Sequence, residues 1–182
     1  MLQSGALCDA RAQLLRGFTL LELLIGVAVA VILTVVAAPS LRDFTYEARL
    51  SSISSQLVSD LNFARLEAVK RNARALVCAK AAATDTCASP ATTNWQSGWL
   101  VCYYVDSDDA CDATSATDPN PMKVAGALNA TLTLTSTSTL IRFNPVGTAN
   151  SAALLTLKGT WTGSSTRTAS VAGTGYITSA KF

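Results

Sequence analysis

Hydrophobic and polar positions divide the chain into three regimes. Residues 18–38 are apolar around almost the whole circumference of a helix, and Glu22 is the single charge among them. At 1.5 Å per residue the run makes roughly 31 Å of helix, enough to cross a bilayer core. After Pro39 the pattern becomes one-sided. Leu50, Ile53, Leu57, Leu61, Ala64 and Ala68 recur at steps of three and four, while Ser51, Ser52, Ser54, Ser55, Gln56, Ser59 and Asp60 take the other positions. This spacing predicts an amphipathic helix to about Arg71, with Asn72 as its end residue. Pro39 removes a helix hydrogen bond and crowds the carbonyl of Val35, which predicts a kink there. Beyond residue 75 the signals are β-like: 75–79, 99–105, 131–134, 139–143, 153–157 and 175–178 read as strands. Serine-, threonine-, alanine- and glycine-rich stretches separate them, and 160–174 reads as a loop. Threonine-rich strands between turn residues predict antiparallel structure with one wet face.

The 182 residues suit one small domain plus an attached segment, and 49% of them are hydrophobic. Arg11 and Arg16 outweigh Asp9 ahead of the apolar run, which predicts a cytoplasmic N-terminus and a translocated remainder. An ordinary secretory signal would be cut after its apolar region. The small residue here, Gly17, precedes that region, so cleavage after it would leave the helix in the mature chain. An acid inside the membrane costs roughly 2.5–3.5 kcal/mol on insertion scales unless it is paired. Cleavage at Gly17 would create a partner, because the new α-amino group of Phe18 lies one helical turn from Glu22. An uncleaved signal-anchor and a buried helix of a soluble domain are the plainer alternatives.

Gly17-Phe18-Thr19-Leu20-Leu21-Glu22 resembles the processing site of type IV prepilins and type II secretion pseudopilins. The resemblance implies cleavage after Gly17 by a prepilin peptidase, N-methylation of Phe18, and a role for Glu22 in guiding assembly. Pro39 falls where many pilins also carry a proline. Further along, Ala64-Arg65-Leu66-Glu67-Ala68-Val69-Lys70-Arg71-Asn72 precedes Val77-Cys78, followed by Trp95-Gln96-Ser97-Gly98-Trp99 and Phe143-Asn144-Pro145-Val146-Gly147. That series is similar to the GspH/FimT group of minor pilins and pseudopilins. It implies an α+β, type IV pilin-like fold, in which a long N-terminal helix, half membrane and half amphipathic, packs on an antiparallel β-sandwich-like head. The expected organisation is a cleaved leader (1–17), a transmembrane and assembly helix (18–38), an amphipathic helix entering the head (39–74), and a periplasmic β head (75–182). Other subunits, the prepilin peptidase, an inner-membrane assembly platform and the lipid bilayer are the implied partners. The location implied is the bacterial inner membrane, then a pilus or pseudopilus.

Five cysteines occur, and Cys8 would leave with the leader. The remaining four, Cys78, Cys87, Cys102 and Cys111, are an even set in an oxidising compartment. Each consecutive pair spans a short polar loop, so Cys78 with Cys87 and Cys102 with Cys111 is the natural local pairing, while a crossed pairing stays open. A zinc site is disfavoured, since there is no histidine and no close CxxC. Asp106, Asp108, Asp109 and Asp112 cluster in the second loop, but without the glycine and terminal glutamate of an EF-hand. Solvated charges account for them better than calcium.

Without histidine, Ser-His-Asp and Cys-His catalysis are excluded. No GxxxxGK[ST] loop occurs, and Gly173-Thr174-Gly175 lacks a third glycine. No catalytic residue, cofactor or metal is therefore assigned. Arg65, Lys70, Arg71 and Arg74 gather near the end of the amphipathic helix against Glu67, a placement the helix macrodipole already favours. They also form a candidate surface for an anionic partner such as DNA. With 14 basic and 12 acidic side chains, overall charge adds nothing to that reading. One branch of the GspH/FimT group binds DNA through a Gly-Arg-x-Arg motif near the C-terminus. Here the matching place reads Gly175-Tyr176-Ile177-Thr178, without either arginine. A structural minor pilin or pseudopilin is the first reading, and a DNA-binding minor pilin for natural transformation is the alternative.

Overall fold

A computed structural model describes residues 18–104, 111 and 120–182, with no side-chain description at 35–40 and at 104. The expected leader 1–17 and the aspartates at 106, 108, 109 and 112 lie outside the described residues. The chain divides into two compact units, Met1–Arg42 and Asp43–Phe182. Helix α1 is assigned over Leu20–Arg71 and includes Pro39. In the first unit its large side chains, including Leu20, Leu24, Ile25, Val31 and Leu33, are exposed. Among the described residues, no helix is long and apolar enough to cross a membrane. The last positions of the apolar run, 35–38, are among those without side-chain description.

In the second unit the periodicity works as predicted. Leu50, Leu57, Leu61, Ala64 and Ala68 are buried, and they form one face of the helix against the main core. The end of α1 follows from the backbone of Asn72, whose φ of 48° lies in the left-handed region. Its N–H bonds to the Val69 carbonyl at 3.3 Å, and the N–H of Ala73 reaches back to Ala68 O at 3.2 Å. This is the double bond pattern of a Schellman terminus, with asparagine supplying the conformation that only glycine adopts more easily. The helix ends at Arg71 with Asn72 as its terminus, as its periodicity predicts, and Arg74, placed with the helical segment 39–74 in the expected organisation, opens the first strand.

Among the described residues this unit also holds two antiparallel four-stranded sheets. The first contains β1 (Arg74–Ala79), β2 (Trp99–Tyr104), β3 (Lys123–Val124) and β5 (Leu140–Phe143), in the order β3-β2-β1-β5. The second contains β4 (Leu132–Ser136), β6 (Ala153–Gly159), β7 (Thr166–Val171) and β8 (Ile177–Lys181), in the order β4-β6-β7-β8. Residues from both sheets join the helix stripe in one core, with Trp95, Trp99, Phe143, Ile141, Leu134 and Leu155 almost fully buried. Two elements correct the sequence reading. The stretch 160–174 contains β7, and Lys123–Val124 pairs with β2 as a short edge strand.

Alternation explains how β1 and β2 are covered on both faces. Ala75, Val77 and Ala79 belong to the main core, whereas Leu76, Cys78, Leu100 and Cys102 form a second buried cluster with Leu140. Cys87 and Cys111 pack against that cluster, so both disulfides lie on this second face. The pairing is local, Cys78–Cys87 and Cys102–Cys111, with Cα separations of 5.7 and 5.6 Å.

Candidate functional site

The start of α1 is fixed by Thr19. Its Oγ1 accepts a hydrogen bond from the backbone N–H of Glu22 at 3.2 Å, and its carbonyl accepts the N–H of Leu23 at 3.1 Å. Thr19 is thus the N-cap and Glu22 the third helical residue, the spacing of a capping box. A carboxylate in the first helical turn is also favoured by the macrodipole. Phe18 precedes the helix and is 82% exposed. Gly17 lies outside the described residues, so Phe18, the expected methylation site, and Glu22, the expected assembly residue, are the ones whose surroundings are visible.

The four basic candidates do not form one free patch. Glu67 is buried and accepts from Arg71 Nε at 2.7 Å and from Lys70 Nζ at 3.4 Å. The Arg71 hydrogen bond is the main reason that the Glu67 carboxyl titrates below the usual range, against the opposing effect of burial. The Arg71 guanidinium also lies 4.9 Å from the centre of the Tyr103 ring. Arg65 turns to the head instead, where its Nε donates to the Gly147 carbonyl at 2.9 Å. Gly175 closes this junction: its φ is +78°, and an added Cβ would collide with the Gly147 oxygen and press on Arg65 Nε. Arg74 sits on β1, apart from the helix carrying the other three.

Sequence reasoning placed Asp60 on the polar face of the helix, but it is buried. Its Oδ2 accepts from Trp99 Nε1 at 3.0 Å, and its Oδ1 accepts from Lys123 Nζ at 2.8 Å. Lys123 in turn lies 4.3 Å from the centre of the Phe63 ring. One carboxylate therefore joins α1 to β2 and β3, and its position three residues after Leu57 and one before Leu61 was the available clue. A second acid, Glu47, accepts from Ser165 N at 2.9 Å and Ser165 Oγ at 2.7 Å. Those two bonds, the hydroxyl first, hold its carboxyl below the usual range, and Lys181 and Arg167 add to the effect. Beside it, Tyr46 and Trp161 rings lie 5.2 Å apart, so the turn between β6 and β7 is fastened to the helix at two points.

Three cysteine sulfurs, of Cys78, Cys87 and Cys111, lie within 4.8 Å of one another. All three already belong to disulfides, which removes the thiolates that a metal would need. A polar groove of about 480 Å³ runs between α1 and the end of β8, lined by Ser54, Ser55, Ser59, Arg167, Ser179 and Lys181 among others.

The sequence model of the family described as type II transport protein GspH matches residues 54–175. The chain belongs to the GspH family. The match covers the head and the helix that enters it, so GspH membership rests on residues quite separate from Glu22. Among solved structures, the type IV minor pilin FimU of Pseudomonas aeruginosa PAO1 has the same fold. One crystal form gives a TM-score of 0.52 at 22% identity, over 74% of this chain and 90% of that one. A second crystal form gives 0.50 at 20% identity, over 71% and 91%. No curated protein matches. The GspH assignment and this likeness agree with the α+β architecture of a long N-terminal helix on antiparallel sheets.

Proposed function

We propose that this GspH-family chain is a minor pilin or pseudopilin subunit, assembled into or at the tip of a type IV pilus or a type II secretion pseudopilus. In this reading residues 1–17 are a leader removed by a prepilin peptidase after Gly17, and the new Phe18 amine is methylated. Residues 18–38 hold the chain in the inner membrane as a single pass, with the N-terminus cytoplasmic and the head periplasmic, until an assembly platform transfers it to the filament. The amphipathic part of the helix, from residue 39 to Arg71, leads into the head, with Pro39 as a soft point, and the strands from Arg74 onward belong to the head itself. The chain acts as a structural subunit, with neighbouring pilin subunits as its partners, and its chemistry is limited to this processing and its disulfides.

The observation that carries the proposal is the combination of a capped helix start at Thr19 with a lone acid at Glu22, on a stretch of helix whose large apolar side chains from Leu20 to Leu33 are exposed. An exposed apolar helix needs lipid or other helices around it. Glu22 then supplies the counter-charge for the Phe18 amine of its own or a neighbouring subunit. The test is Glu22→Ala in cells with the companion subunits present. The expected result is near-normal removal of the leader, read by N-terminal sequencing, with loss of the protein from sheared filaments. Incorporation at the wild-type level would sink the pairing role.

For DNA uptake the same positions argue less well. Glu67 offsets Lys70 and Arg71, and Arg65 is spent on the Gly147 carbonyl. A gel-shift series with double-stranded DNA at falling salt separates the two readings, since phosphate contacts strengthen steeply as salt is lowered.

A further inference from the structure

We infer that the outer edge of β8, with the groove beside it, is a docking site for an extended acidic segment of another subunit. The backbone pattern comes first. Thr166 and Phe182 exchange both of their hydrogen bonds, at 3.0 and 2.8 Å, and Ala172 N bonds to Tyr176 O at 2.9 Å. In an antiparallel pair, bonded and non-bonded positions alternate. With the register Thr168↔Ala180 and Ser170↔Thr178, the even-numbered residues of β8 spend their backbone groups on β7. Ile177, Ser179 and Lys181 therefore turn theirs away from the sheet. β8 is the last strand of its sheet, so these N–H and C=O groups form an open edge onto which a strand can be added.

The side chains define what that strand should carry. The core-facing positions of β7 and β8 are the odd ones, because Ala169 and Val171 are buried. Arg167 and Lys181, which lie opposite each other in the register, consequently project on the side of the sheet that faces α1. There they meet Ser54, Ser55 and Ser59 across the groove. Arg167 Nε is shut off from solvent and has no hydrogen-bond partner. Glu47, whose charge acts on both of these cations, is already hydrogen-bonded to the N–H and the hydroxyl of Ser165. A strand laid along β8 would place every second side chain into this groove, among hydroxyls, two cations and an unsatisfied donor. Aspartate or glutamate at those positions completes the site, whereas lysine or a large apolar residue does not. A second copy of the same edge would bring the Arg167 and Lys181 of both chains into one cleft, so the occupant is a different subunit.

This inference rests on the filament-subunit reading for the identity of the occupant, but the site itself is testable without filaments. The full chain in detergent micelles is titrated with two synthetic octapeptides, one alternating Thr and Asp, the other alternating Thr and Lys, and with a single-stranded oligonucleotide. Amide NMR and hydrogen exchange provide the readout. The acidic peptide should shift the amides of Ile177, Ser179 and Lys181 and slow their exchange about tenfold or more. Added salt should weaken the effect. Ser179→Pro removes an outward N–H that β7 does not use, so it should abolish binding while the thermal midpoint stays close to that of the parent. Lys181→Glu, at an exposed position, should weaken binding while leaving the fold intact. The inference is overturned if the acidic peptide fails to bind, if the lysine peptide or the oligonucleotide binds the same amides as well, or if Lys181→Glu changes nothing. Any of these results would leave the Glu22→Ala experiment, and the assembly reading it tests, standing on its own.

Discussion

Asp60 holds two donors, Trp99 Nε1 and Lys123 Nζ, at a position where a helix and two strands meet. Replacing it with alanine leaves the buried indole N–H without an acceptor and strands the lysine. We expect Asp60→Ala to cost about 2 kcal/mol, read as a lower denaturant midpoint with unchanged slope. A midpoint equal to the parent's would show that water replaces the carboxylate without loss. Glu47 and Glu67 act on stability through pH. Both carboxyls titrate below the ordinary glutamate range, Glu47 chiefly through the Ser165 hydroxyl and Glu67 chiefly through Arg71. The unfolded chain thus binds protons first on acidification, so the stability they add is complete above about pH 4.3 and is lost as pH falls through their lowered folded values. Thermal midpoints should drop as pH falls below about 4.3, and the Glu47→Gln, Glu67→Gln double variant should show a shallower decline there. Glu47 and Asp60 were not readable as partners in the sequence, because Ser165 and Trp99 lie far away along the chain, whereas Glu67 stands only three and four residues from Lys70 and Arg71.

Among the elements, those with a large apolar signal were legible and those built from small side chains were not. The stripe from Leu50 to Ala68 alternates bulky and polar residues at helical spacing, and all but Ile53 of its six members are buried. Leu57→Ala should therefore cost about 2–4 kcal/mol by calorimetry or chemical denaturation, whereas the same change at exposed Leu66 should cost far less. Equal effects at the two sites would contradict the assigned helix face. β7 escaped notice because its buried side is only Ala169 and Val171. Two short side chains between threonine and serine give no period-two hydrophobic signal, and its place is set by the ladders to β6 and β8. Likewise β3 has just two residues, and Lys123 earns its position by reaching Asp60 rather than by any strand propensity. The candidate basic cluster was legible as residues but not as an arrangement. Spacing along the helix put Arg65 beside Lys70 and Arg71, and only the fold could reveal that Gly147 would claim it.

For the whole molecule, the two units separate what can be read from each. The head carries the GspH match over residues 54–175 and the fold shared with FimU, and its two local disulfides lie on the second buried face of β1 and β2. The first unit carries the helix start, where the sequence motif and the geometry of Thr19 coincide. That cap has a consequence for how a protease would meet the chain. A peptidase must draw its target bond into an extended conformation, and a bond wound into a helix resists this through its own hydrogen bonds. With Leu20 as the first helical residue, Thr19 leaves Phe18 outside the helix, so under the processing proposed above a peptidase would reach Phe18 without unravelling any turn of α1.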